Sequence, residues 1–162
     1  MLGLWKTFRA RRAAAAAIVP LVDGTRRRLG AIPDSTWHDP YVIGFLGMLI
    51  TTIATRTAGS LRTADLAAVQ AGAWSDITGK SGDVFGEETS FLSAAHDNAF
   101  ISGCRDAETL CHALYVASEH SEQQLGAGAD STIAPEHGEI RSALWSRYFD
   151  AHLSQPPTAG EI

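Results

Sequence analysis

Cysteine is scarce in this chain: Cys104 and Cys111 are the only two in 162 residues. If both lie on one helix, their Cα atoms sit roughly 10 Å apart along its axis, and a disulfide needs less than about 7 Å. A disulfide-stapled scaffold is therefore excluded, and a reducing compartment, the bacterial cytoplasm, is expected. Period-2 alternation of useful length and hairpin signals are missing, which excludes a β fold. No HExxH, GxSxG, CxxC or EF-loop pattern occurs, so the enzyme and metal-site classes those motifs mark are not indicated. A Ser–His–Asp triad is a spatial arrangement, and nothing in the order of residues suggests one. Lysine is nearly absent, two against eleven arginines, a composition that fits a helix-rich chain from a GC-rich genome. The longest uncharged apolar run, residues 41–54, falls short of the roughly 18–20 residues that span a bilayer. Arg9 to Arg12, five alanines and Ile18-Val19 have the look of a signal peptide. Pro20 interrupts the run and no Ala-x-Ala site follows, so no cleaved signal is expected.

What is present is centred on residues 37–58. Asp39 is a good N-cap and Pro40 stands where the first helical residue belongs. At 100° per residue, Gly44, Gly47, Thr51, Ala54 and Ala58 share one side, and Tyr41, Val42, Ile43, Phe45, Leu46, Leu49, Ile50 and Ile53 cover the rest. A helix apolar all round is buried, with the small side admitting another backbone closely and the large side filling a core.

The flanking pattern predicts further helices. Residues 2–19 carry Leu4, Phe8, Ala15, Ile18, Val19 and Val22 at helical spacing, with Pro20 expected to kink or restart the helix. A short piece over 20–29 ends in Arg26-Arg27-Arg28 before Gly30, a helix C-terminus with cations on its last carbonyls. After a connector with turn chemistry in Pro33-Asp34-Ser35 comes the central helix, ending near Gly59. A helix over 61–78 is expected with Leu66, Val69, Ala73 and Ile77 inward, then one over 84–102, capped by Asp83, with Phe85, Leu92, Ala95 and Ala99 inward. Gly103 and Asp106 are read as separating it from helix 107–125, whose inward residues are Leu110, Leu114, Ala117 and Leu125. Gly126 to Ser131 reads as a loop, and Pro135 opens a last helix to about 153. The expected fold class is all-α: a single-domain bundle of about six helices over 1–153 around the buried apolar helix 40–57, with 154–162 a frayed tail.

Chemistry-bearing residues are few. Gly79-Lys80-Ser81 resembles the end of a phosphate-binding loop, but Trp74 stands where the first glycine belongs and a helix precedes it, so it reads as a helix-to-helix turn. On helix 107–125, Glu108, His112 and Glu119 fall on one face, a ligand set for a metal-dependent enzyme if a second ligand helix faced it. Because that face lies opposite Leu110 and Leu114, it is expected to be solvated, with Glu108 and His112 as an i, i+4 surface pair. His38, His96, His137 and Tyr148 lie near apolar faces and are the candidates to line a ligand pocket. The last helix has two apolar sides: Ile140, Leu144, Tyr148 and Ala151, and, separately, Trp145, Phe149 and His152. The second is the expected homodimer interface.

Charge is segregated. Residues 1–30 carry Lys6, Arg9, Arg11, Arg12, Arg26, Arg27 and Arg28 against Asp23 alone, while the remainder holds six basic and seventeen acidic residues. Opposite charge in two parts of one chain suits self-pairing. It equally suits an acidic protein partner, or a membrane surface, met by the basic N-terminal segment; no specific nucleic acid is expected. The sequence thus reads as a non-enzymatic helical interaction or adaptor protein that self-associates and needs no cofactor. A bundle holding a small hydrophobic ligand or haem is the alternative, followed by the metal-dependent enzyme.

Overall fold

The computed structural model describes the backbone of residues 2–125 and 135–155, and side chains over 3–115 and 138–155. Among the described residues every element is helical and no strand occurs, so the fold is an all-α bundle. The helices are α1 (Leu2–Leu29), α2 (Pro40–Ala58), α3 (Thr63–Thr78), α4 (Gly82–Ala94), α5 (Asn98–Leu125) and α6 (Pro135–Trp145). A 3₁₀ turn, Asp34–His38, precedes α2, and a π turn, Ser146–Asp150, with a final helical turn, Ala151–Leu153, continues α6. The chain divides into two compact units, 1–108 and 109–162, with the boundary inside α5.

In the first unit α2 is the centre. The Asp39 carboxylate accepts the Val42 N–H at 3.2 Å, Pro40 occupies the first turn, and Gly59 ends the helix at φ +73°, where only a residue without Cβ is unstrained. The helix is long and apolar enough to cross a bilayer by composition alone, longer than the run 41–54 implied, yet most of it is buried within the fold. Tyr41, Val42, Ile43, Phe45, Leu46, Leu49, Ile50 and Ala54 are all buried. A helix that is apolar all round must be enclosed, and α1, α3 and α4 each pack against it.

The small side of α2 does what its composition predicts. A Cβ built on Gly44 would lie 2.2 Å from the carbonyl oxygen of Phe100, and one on Gly103 would lie 2.1 Å from that of Tyr41. Two glycines therefore let α2 and α5 cross backbone against backbone. The Cys104 thiol donates to the Gly44 carbonyl at 3.5 Å, and the Tyr41 hydroxyl donates to Asp106 at 2.9 Å. Gly103 is thus a mid-helix packing residue and not the break expected there. The break falls earlier: His96 adopts φ 52°, and Asp97 caps α5 by accepting the Phe100 N–H at 2.9 Å.

Several other expectations are corrected. Pro20 does not divide α1, which runs unbroken through it. A proline inside a helix removes one backbone bond and costs about 3 kcal/mol; here Ile18 and Val22 are buried on either side of it, so packing against α2 and α3 holds both halves in one helix. The buried stripe of α1 is Ala10, Ala14, Ile18, Val22 and Thr25. Leu4 and Phe8, expected inside, are outside: alanines at 10 and 14 bring α1 close to its neighbours and turn the larger side chains away. Ser81, not Asp83, caps α4, accepting the Asp83 N–H at 3.3 Å, and Ala95 and Ala99 are exposed.

The second unit comprises the end of α5 and the chain from α6 onward. Leu110 and Cys111 are buried, as the stripe on helix 107–125 anticipates for Leu110. The Ala151 N–H bonds the Ser146 carbonyl, five residues back, which widens the helix by one residue at this turn. Trp145 and Phe149 stack at a tilt with centroids 4.5 Å apart, and both are fully buried. This corrects the expectation that Trp145 and Phe149 face outward as an interface. The last helix buries its aromatic pair, and Ile140, expected inward, is exposed. The half-buried His152 remains at the edge. The loop read at 126–131 lies outside the described residues, as does the tail from 156 onward.

Candidate functional site

Two surfaces of the first unit gather functional chemistry. One is a cleft of about 180 Å³ lined by Trp37, His38, Trp74, Lys80, Ser81, Val84, Phe85 and Glu88. The 3₁₀ turn, closed by the Thr36 N–H to Pro33 carbonyl bond at 3.0 Å, directs Trp37 inward and leaves His38 exposed. Trp37 meets Trp74 edge-on at 6.4 Å, and Trp74 stacks on Phe85 at 4.4 Å. Because all three rings are buried, they form a floor whose faces are already spent on one another. The rim is polar: His38 Nδ1 lies 2.7 Å from Glu88 Oε1, and Lys80 pairs with Asp34 at 2.9 Å. Gly79-Lys80-Ser81 is a turn, with Gly79 left-handed and the Lys80 N–H held by the Thr78 hydroxyl at 3.1 Å. The cleft is smaller than the roughly 300–1,000 Å³ of ordinary cofactor pockets, so a haem does not fit it.

The other surface is the outer side of α1. Leu4, Trp5 and Phe8 are 81%, 59% and 62% exposed, on a helix whose opposite stripe is completely buried. With Arg9 and Arg12 they span roughly 140° of the helix circumference, and Lys6 borders that arc. The Arg9 guanidinium lies 5.0 Å from the Trp5 ring centroid, a cation–π contact, and also donates to the Thr57 carbonyl. Arg11 crosses α3 at Gly72, where a Cβ would strike its Cδ at 2.7 Å, and binds both oxygens of Asp76 at 2.7 Å. Those hydrogen bonds hold the Asp76 carboxyl below the usual carboxylate range. The pair therefore ties α1 to α3 at neutral pH and lets go as the pH falls through that lowered value; half exposed, it is worth under about 1 kcal/mol. Beside it a shallow groove of about 250 Å³ is lined by Phe8, Arg11, Arg12, Ala15 and Asp76. Lys6 and Arg12 have no ion-pair partner among the described residues.

The residues singled out from the sequence are scattered. Of the pocket set, His38 alone joins the cleft. His96 is exposed on the turn before α5, its Nδ1 3.1 Å from the Ala94 carbonyl. Tyr148 belongs to the second unit, with the Arg147 guanidinium 5.7 Å from its ring centroid, and the His137 side chain lies outside the described residues. Glu108 and His112 are both exposed, as expected of a solvated face, and the Glu119 side chain lies outside the described residues. Among the described residues no group of three or more metal-ligating side chains converges. Neither cysteine is in a disulfide; burial, then the Glu108 charge, raises the Cys104 thiol above its ordinary value, which keeps it an inert, protonated donor. Sequence reasoning missed Trp74, whose role depends on Trp37 and Phe85 meeting it from two other elements, and misassigned Leu4 and Phe8. Arginines 9 and 12 beside them were the available signal, because a core-facing stripe does not carry cations.

No protein family, curated protein or solved structure matches this chain.

Proposed function

We propose that this chain is a non-enzymatic helical interaction protein whose working surface is the outer side of α1. The observation that carries the reading is the exposure of Leu4, Trp5 and Phe8 together on one helix face. Isolated exposed apolar residues need no explanation, but a cluster of large ones bordered by charge marks a contact surface. Cations on the same arc, against an acidic remainder, add directionality to the contact. The self-association expected from Trp145 and Phe149 loses its support, because neither ring is available at the surface.

Photo-crosslinking in the cells that make the protein tests the reading. A benzophenone side chain in place of Phe8 should give adducts, and the same group at the exposed Glu87 on α4 should give none. Equal labelling from both positions, or none from position 8, would remove α1 as the contact surface.

A further inference from the structure

Resting on that reading, we infer that the partner of the α1 face is an anionic lipid bilayer surface, on which the N-terminal half of α1 lies flat. On the outer face of α1, cations and apolar bulk share one arc. On α1 the two are interleaved: going round the arc the order is Leu4, Phe8, Arg12, Trp5, Arg9, with Lys6 beyond. At a bilayer boundary arginine and lysine stems lie along apolar surface while their heads reach up to phosphate, so cations beside Leu4, Phe8 and Trp5 are accommodated there. Trp5, with an apolar body, a polar N–H and an arginine on its face, is the residue type that settles at the headgroup level.

Charge supports the same partner. No acidic residue precedes Asp23; Asp76, which shares a groove with Phe8 and Arg12, is neutralised by Arg11, and Asp65, which shares a pocket with Lys6, is paired with Arg62. Lys6, Arg9 and Arg12 are left to meet an anionic surface. A helix exposed along one side presents a convex ridge, which a deformable lipid surface accommodates without a preformed groove. Three cations and three apolar side chains make a reversible, salt-sensitive attachment, unlike the near-permanent insertion of a spanning helix.

Co-sedimentation of the whole protein with lipid vesicles tests the inference. Vesicles of equal parts phosphatidylglycerol and phosphatidylcholine should pellet the protein with at least about tenfold higher affinity than phosphatidylcholine alone, and the difference should shrink toward nothing near about 0.5 M salt. Trp5→Ser with Phe8→Ser should abolish pelleting while the circular dichroism melt stays within a few degrees of wild type, since both side chains are already in water. Lys6→Glu with Arg12→Glu should remove the preference for the anionic vesicles. Equal binding to both vesicle types, no binding to either, or undiminished binding of the Trp5→Ser/Phe8→Ser protein would each overturn the inference. If the vesicles fail while position 8 still crosslinks in cells to a protein, α1 remains the contact surface and its partner is an acidic protein. If position 8 gives no adduct at all, the interaction reading itself fails.

Discussion

Gly103→Ala should lower the thermal midpoint by roughly 6–12 °C, the shift that about 3 kcal/mol produces in a chain of this size. The new methyl would sit 2.1 Å from the Tyr41 carbonyl oxygen and 2.9 Å from the Phe45 nitrogen. Overpacking a core costs about 1–3 kcal/mol when side chains can adjust. Here the obstacle is backbone in the middle of α2, and α5 has to lift away along the whole crossing. The loss should therefore reach the top of that range or exceed it. Two other helical glycines calibrate the experiment. At Gly47 a Cβ would meet the Phe85 ring at 3.2 Å, a side chain that gives by a few tenths of an ångström, so alanine there should change stability by less than about 1 kcal/mol. At Gly86 nothing lies within 4 Å, and alanine should stabilise α4 by roughly 0.5–1 kcal/mol through its better helix propensity. Differential scanning calorimetry of the three variants reads all three effects. If Gly103→Ala melts like wild type, α2 and α5 do not cross as described.

Trp145→Glu should unfold the second unit. Truncating a buried tryptophan costs about 3–5 kcal/mol, and a carboxylate forced into its place adds several more. Phe149, stacked on that ring at 4.5 Å, loses its partner, and the neighbouring turn is also exposed to the disruption: Asp150 is buried and accepts from the Ser146 hydroxyl at 2.9 Å. The signature is a loss of helical circular dichroism together with protease sensitivity between residues 135 and 155. A variant that stays folded while light scattering shows half the mass of wild type would put Trp145 in a subunit interface instead.

Much of the fold was legible in the chain because its signals are local. Asp39-Pro40 and Gly59 bracket α2 by cap chemistry alone, and an uncharged stretch between them has nowhere to go but inside. Arg26 to Arg28 and Gly30 mark the end of α1 in the same way. Registers that depend on neighbours were not legible. Alanine carries little hydrophobic weight, so Ala10 and Ala14 gave way to Leu4 and Phe8 as the apparent core stripe, although close helix packing favours the small residues. Gly103 has the sequence profile of a helix break as much as of a close crossing, and only the carbonyl of Tyr41 distinguishes the two. For the last helix, two apolar sides were evident, but which side a neighbour covers is a tertiary fact. The cleft was out of reach for the same reason: Trp37, Trp74 and Phe85 converge from three separate elements, and no spacing along the chain encodes their meeting.

The exposed α1 face can be tested by one optical measurement. Of the four tryptophans, Trp37, Trp74 and Trp145 are buried and Trp5 is exposed. Iodide should therefore quench only a minor component of the protein's tryptophan emission, and Trp5→Phe should remove that component while leaving the protected emission in place. Quenching that is unchanged in Trp5→Phe, or wild-type emission that iodide does not touch, would mean that the outer side of α1 is covered and that the contact surface lies elsewhere.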